Sequence, residues 1–297
     1  MLALYRSMLV SMSIRIAYAR TMRSATQSVL DLRAAGLLWF GMEFHPGLLV
    51  YASLVTAAAV AGFVDSIAGG GGIITLPILL AVGMPPHFAL GTNKLQSSFG
   101  SLAATIRYRA AGLIRARELL PGIAATATGA ALGALAVGAV DATILRILIP
   151  ALLVVIVIFL ALKPRFGMAE RAGRLPWQPF WIVAGLCLGF YDGFFGPGTG
   201  TFWAIALVGF VGLDLRGATA HSKIANFTSN IVSLAVFAAS GTIVVSVGLA
   251  MGAAQALGAW TGSRLVLRRG AGLVRGVLMG MSMAIILYII LRYWVLG

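Results

Sequence analysis

Residues 65–101 read DSIAGGGGIITLPILLAVGMPPHFALGTNKLQSSFGS, and the order of groups in this stretch decides the fold. An apolar segment delivers an acid, Asp65, and breaks at four glycines, Gly69 to Gly72. The chain restarts as a short apolar run, Ile73 to Val82, stops at Pro85 and Pro86, and re-enters with Lys94 inside. The same order returns over residues 192–230 as DGFFGPGTGTFWAIALVGFVGLDLRGATAHSKIANFTSN. Asp192 follows Asp65 by 127 positions, and Lys223 follows Lys94 by 129. Gly241, Gly258 and Gly262 also follow Gly112, Gly129 and Gly133 by 129. A small insertion between the acid and the lysine accounts for the difference of two. The chain is a duplicated unit, and its function is expected where the copies meet.

Of the 297 residues, 60% are hydrophobic and 10% charged, with a mean hydropathy of +0.98. A soluble domain carries about 25% charged residues. The composition therefore predicts an all-α integral membrane protein crossing the bilayer several times. The net charge of +14 falls in short clusters between apolar runs. That is the pattern of the positive-inside rule, so the charge reports orientation and no nucleic-acid partner is expected. The single cysteine, Cys187, allows no intrachain disulfide.

Residues 1–44 form a basic extension with Arg6, Arg15, Arg20, Arg23 and Arg33, too interrupted for a spanning helix or a signal peptide. An amphipathic surface helix or a loose segment is expected there. A first membrane repeat covers 45–162, a basic cytoplasmic linker 163–176 and a second repeat 177–297. Each repeat has about five segments, eight to ten membrane segments in all. The first comprises His45–Ala68, Ile73–Val82, His87–Arg107, Leu119–Ala139 and Thr143–Leu162. The second comprises Gln178–Phe195, Gly200–Gly212, Gly217–Ala239, Ile243–Leu265 and Leu273–Val295. The second member of each set reaches only about half a bilayer, so both read as half-helices or re-entrant pieces.

Arg107, Arg109, Arg115 and Arg117, and the cluster Lys163, Arg165, Arg171 and Arg174, mark cytoplasmic connections, while the Gly138–Thr143 link with Asp141 faces outward. In the second copy the charges move to Arg264, Arg268, Arg269 and Arg275, and the Ser240–Ser246 connection has none. Equivalent segments thus cross in opposite senses, which makes the copies inverted repeats. The C-terminus is expected outside, against Arg292, and the side of the N-terminus is open. Gly129-Ala-Ala-Leu-Gly133 and Gly258-Ala-Trp-Thr-Gly262 predict a helix contact shared by both copies.

Lys94 lies well inside its segment with Ser97 and Ser101 at i+3 and i+7, and Lys223 has Asn226 and Asn230 at the same offsets. An intramembrane charge is costly and marks a cavity or a partner. Two ammonium groups, the donors Thr92, Asn93, Ser97, Ser222, Asn226 and Asn230, and opened backbone at Gly71, Gly72, Thr199 and Gly200 suit a small oxyanion. Lysine acts as a point charge, which favours a compact anion such as sulfite or a sulfonate head group. The competing structural reading pairs each lysine with the acid of its own copy. Asp65 and Asp192 could carry coupling protons, since burial favours the neutral acid, or serve as structural ions. His221 is placed to line the same cavity.

Other chemistries find little. Gly193–Thr201, GFFGPGTGT, lacks the lysine of a phosphate loop, and neither acid sits in a GxGD motif of intramembrane aspartyl proteases. His45, His87 and His221 are too scattered to hold a metal. No cofactor or metal is expected, and the chain is not read as an enzyme. An anion channel, or less favourably an intramembrane hydrolase, is the alternative to a transporter.

The run Asp65–Gly72 with Thr92-Asn93-Lys94, the stretch Gly189-Phe190-Tyr191-Asp192 to Gly196-Pro197-Gly198-Thr199-Gly200, and Ser222-Lys223 with Asn226 and Asn230 resemble the TauE/SafE, or sulfite-exporter-like, transporter family. The similarity covers roughly residues 47–295. It implies a multi-pass permease of the bacterial inner membrane, with the lipid bilayer and a small sulfur-containing anion as partners and an ion gradient as the driving force. A homodimer is compatible with it. The first copy departs from the second in having Ser97 and Ser101 where asparagines stand.

Overall fold

The computed structural model describes residues 46–114, 119–162, 175–274, 276, 277 and 280. They contain helices and connections and no strand. In chain order these are α1 (Leu48–Ala68), α2 (Gly71–Ala81), α3 (Pro86–Ala110), α4 (Leu120–Gly138) and α5 (Ala142–Leu162). The second half contributes α6 (Trp177–Phe194), α7 (Thr199–Ala206) with a π turn over Leu207–Val211, α8 (Leu215–Ala239) and α9 (Val245–Arg269). The basic extension, most of the linker and most of the expected last segment lie outside the described residues, as do Arg115, Arg117, Arg275 and Arg292.

Local chemistry sets these boundaries. Pro86 opens α3, where a missing N–H costs nothing, and Asp214 caps α8 by accepting the Gly217 N–H at 2.9 Å. The short α2, with 11 residues, extends about 16 Å at 1.5 Å per residue, half a hydrocarbon core. Glycines with positive φ end the corresponding pieces of both halves, and they locate the length difference between the copies. Gly69 and Gly196 differ by 127, Gly70 and Gly198 by 128, and Gly83 and Gly212 by 129. The expected single insertion is therefore two insertions of one residue. One is Pro197 in the break; the other lies in the π turn, where each turn takes up an extra residue.

Packing interleaves the halves. The closest helix pairs are α4 with α6 and α9 with α1, and α3 meets α8 between them. The two GxxxG segments make these contacts backbone to backbone. A Cβ on Gly133 would sit 2.1 Å from the Phe190 carbonyl oxygen, and one on Gly258 would sit 2.0 Å from that of Ala59. Each GxxxG helix thus packs against the first helix of the other half.

Two apolar clusters flank a polar middle. The first gathers Leu54, Leu76, Leu90, Val137, Phe237 and Val247; the second gathers Ile67, Tyr108, Leu119, Trp181, Ala218 and Val266. Helices α1, α3 and α9 start in the first cluster and end in the second, whereas α4, α6 and α8 run the other way. Helix α2 runs from the middle into the first cluster, and α7 from the middle into the second. The outer surface is apolar, with Leu49 87% and Leu257 71% exposed, while Lys94 and Lys223 are buried at 1% and 0%. That inverts the distribution of a water-soluble protein.

By length and hydropathy alone, two described helices qualify as membrane spans, α1 at 1.8 and α4 at 1.6. Among the described residues this is fewer than the expected eight to ten segments, and for α3, α8 and α9 the reason is physical. The 25-residue helices α3, α8 and α9 carry the interior's polar side chains, which lowers their average although their outer faces are apolar.

Candidate functional site

The breaks after α1 and α6 touch one another. A Cβ on Gly69 would lie 2.4 Å from the Thr201 nitrogen, and one on Gly72 would lie 3.2 Å from Pro197 Cα. With φ of +82° and this contact, Gly69 has no room or conformation for a side chain. The carbonyls left open at the end of α1 are bonded from outside. Tyr108 Oη donates to Ser66 O at 2.7 Å, and Thr201 Oγ1 donates to Ala68 O at 3.0 Å. Tyr191 Oη donates to Pro197 O at 2.5 Å and Thr199 Oγ1 to Gly196 O at 2.6 Å, which shapes the second break.

The charged groups pair across the halves. Lys94 Nζ donates to Asp192 Oδ1 at 2.7 Å and also to the Asp192 carbonyl. Lys223 Nζ donates to Asp65 Oδ2 at 3.0 Å. The expectation that an ion pair, if formed, joins a lysine to the acid of its own copy is thus corrected. Both bridges cross between the halves, where each first helix packs closely against the other half's fourth helix. Asp65 Oδ1 also accepts the Gly71 N–H at 3.1 Å, which caps α2, and Asp192 Oδ2 accepts the Ser229 hydroxyl.

Beside these pairs lies a polar cavity of about 20 Å³, room for a water-sized guest. Asp65, Gly71, Gly72, Asn93 and Ser97 line it from the first half, and Asp192, Thr199, Gly200, Asn226 and Asn230 from the second. Asn93, which lines the cavity, has its Oδ1 engaged by Thr75 Oγ1 at 2.7 Å and Gln96 Nε2 at 2.9 Å, so the group it can still offer is its amide NH2 donor. Asn226 Oδ1 is buried without a hydrogen-bond partner. The N-termini of α2 and α7 both begin at this cavity.

Five residues expected to line it do not. Lys94 and Lys223 stand behind their carboxylates, with their ammonium groups against Gly196 and Gly200. Thr92 accepts the Val244 N–H at 3.0 Å, and Ser222 returns its hydroxyl to Thr219 O at 2.8 Å. His221 packs its ring against Trp177 and Trp181, at 5.4 and 6.2 Å. Ser229 escaped the sequence reading because its counterpart 129 positions earlier is Gly100, so matching the copies discards it. No group of three or more potential metal ligands occurs among the described residues.

An apolar exterior, an ion-paired polar interior and helix breaks facing one cavity define a helical membrane protein built around a buried polar site. The particular family follows from comparison with known proteins. The profile described as sulfite exporter TauE/SafE matches residues 54–289, and the chain belongs to this family. It is 42% identical over 259 residues to a probable membrane transporter protein, ORF9, of Sinorhizobium sp, covering 85% of this chain and 98% of that one. It is 43% identical over 243 residues to the probable membrane transporter protein YfcA of Escherichia coli (strain K12), covering 82% and 90%. A probable membrane transporter protein of Haemophilus influenzae is 40% identical over 236 residues, covering 80% and 92%. No solved structure matches the chain.

Proposed function

We propose that the protein is a secondary transporter of the bacterial inner membrane that moves a small sulfur-containing anion, such as sulfite or an organosulfonate, with coupling to protons. One observation carries this reading: two fully buried lysines, each bonded to the acid of the opposite half, beside a cavity that both halves line. The halves act as inverted repeats that rock about this site. In support, α1 runs opposite to its counterpart α6, α3 opposite to α8 and α4 opposite to α9 between the two apolar clusters.

In this reading the lysines supply positive potential without imposing a planar geometry. Backbone N–H groups at the starts of α2 and α7, together with Asn93, Asn226 and Asn230, supply donors to a compact oxyanion. The two lysines and two aspartates cancel in charge. An entering anion therefore replaces a carboxylate as partner of a lysine, and a proton on that carboxylate keeps the interior neutral. This gives proton coupling a physical cause. The name of the family and those of the curated relatives agree with a transporter rather than an enzyme.

Labelled sulfite flux in proteoliposomes, with and without an imposed pH gradient, tests the proposal. The expected result is saturable flux that the gradient accelerates and that Lys94→Ala or Lys223→Ala abolishes while the protein still inserts. Full flux in the double variant refutes the anion site, and conductance without proton movement points to a channel instead.

A further inference from the structure

We propose that the two acid–lysine pairs have unlike roles: Asp65 takes up and releases the coupling proton, whereas Asp192 stays ionised and holds Lys94 in place. This deepens the transport reading above and rests on it for the word coupling. It does not rest on the identity of the anion.

The pairs differ in three ways. The Asp65 side chain is 14% exposed where it meets the cavity, against 4% for Asp192. Asp192 is bound by the Lys94 ammonium at 2.7 Å and by the Ser229 hydroxyl; Asp65 is bound by Lys223 at 3.0 Å and by the Gly71 N–H at 3.1 Å. Finally, Lys94 also donates to the Asp192 carbonyl, a bond that survives whatever happens at the carboxylate. Among the described residues, Lys223 donates to the Asp65 carboxylate alone. Proton uptake at Asp65 Oδ2 removes the charge that holds Lys223, and the freed ammonium can turn to an anion in the cavity. The four side chains then carry one net positive charge, which a singly charged anion balances.

The asymmetry is built into the packing. The position that would offer Asp65 a hydroxyl, as Ser229 does for Asp192, is Gly100. A Cβ there would lie 2.7 Å from Gln255 Cγ and 2.9 Å from Gln255 Nε2, so the Gln255 side chain fills the place of a serine. The counterpart of Gln255 in the first half is the smaller Thr126. The ionisable groups facing Asp65 are Lys223 on α8, Tyr108 on α3, which Arg216 of α8 also influences, and Asp192 across the shared cavity. Helices α2 and α7 have none, and Arg264, Arg268 and Arg269 of α9 lie beyond Gly262, which packs on Phe63 and Ser66.

Infrared difference spectra of the reconstituted protein, taken between neutral and mildly acid buffer without sulfite, read carboxyl protonation directly. A component of the protonated-carboxyl band should be lost in Asp65→Asn and kept in Asp192→Asn. The reverse assignment, or no component that depends on either acid, overturns the proposal. Should an asparagine variant not fold, Ser229→Ala must keep the component and Asp65→Glu must shift its midpoint; an unmoved midpoint in Asp65→Glu also overturns it. In flux assays Asp65→Asn should exchange sulfite at a reduced rate and lose its acceleration by a pH gradient. Gradient-driven flux in that variant defeats this proposal and leaves the substrate reading standing. A wild type that moves no sulfite but protonates Asp65 does the opposite.

Discussion

Replacing Lys94 by methionine tests whether the crossed ion pairs hold the interior together. Lys94 is 1% exposed, and its ammonium sits 2.7 Å from Asp192 Oδ1. At an effective dielectric constant of about 20, two unit charges at that separation attract by roughly 6 kcal/mol. Desolvation offsets part of this, and breaking a buried pair by removing one partner costs about 3–5 kcal/mol. Methionine keeps the apolar stem, so the loss measures an ionised Asp192 left with the Ser229 hydroxyl alone. Asp192→Asn should cost a similar amount by stranding the ammonium. The double variant Lys94→Met/Asp192→Asn removes both charges and should be more stable than either single variant, since an apolar replacement of a whole buried pair is close to neutral. Tryptophan-fluorescence melting of the purified protein reads the effect, with single variants lowered by on the order of 10 °C. Single variants that melt like the wild type, or losses that simply add in the double, refute the reasoning.

Two further outcomes follow from the same geometry. Gly258→Leu should prevent assembly of α9 against α1, because even a Cβ would lie 2.0 Å from the Ala59 carbonyl oxygen; the loss should exceed the roughly 1–3 kcal/mol of ordinary overpacking and appear as a vanished monodisperse peak on gel filtration. At Asp141, before α5, the Thr143 N–H bond at 2.7 Å holds the carboxyl below the usual carboxylate range. With the folded value lowered, its stabilising effect is present above the ordinary range and fades as pH falls through the lowered one. Asp141→Asn, an equally good cap, should melt like the wild type at neutral pH and lose that acid-side decline.

The apolar composition, the duplicated order of acid, glycine break, short helix and lysine, and the two half-length helices were legible in the sequence, because each follows from local chemistry. Segment length sets whether a helix can span, and a glycine run permits positive φ wherever it falls. The cavity positions of Ser97, Asn226 and Asn230 agree with helical spacing from the buried lysines, which puts i, i+3 and i+7 on one face. Spacing along one helix says nothing about which neighbour that face meets. Only the interleaving of the halves made Lys94 the partner of Asp192 and Lys223 that of Asp65. It also turned Thr92 toward Val244 and set Gln255 where a second serine would stand. Those choices depend on backbone approach between segments far apart in the chain, where the match of GxxxG surfaces, and not any nearby residue, decides what touches what.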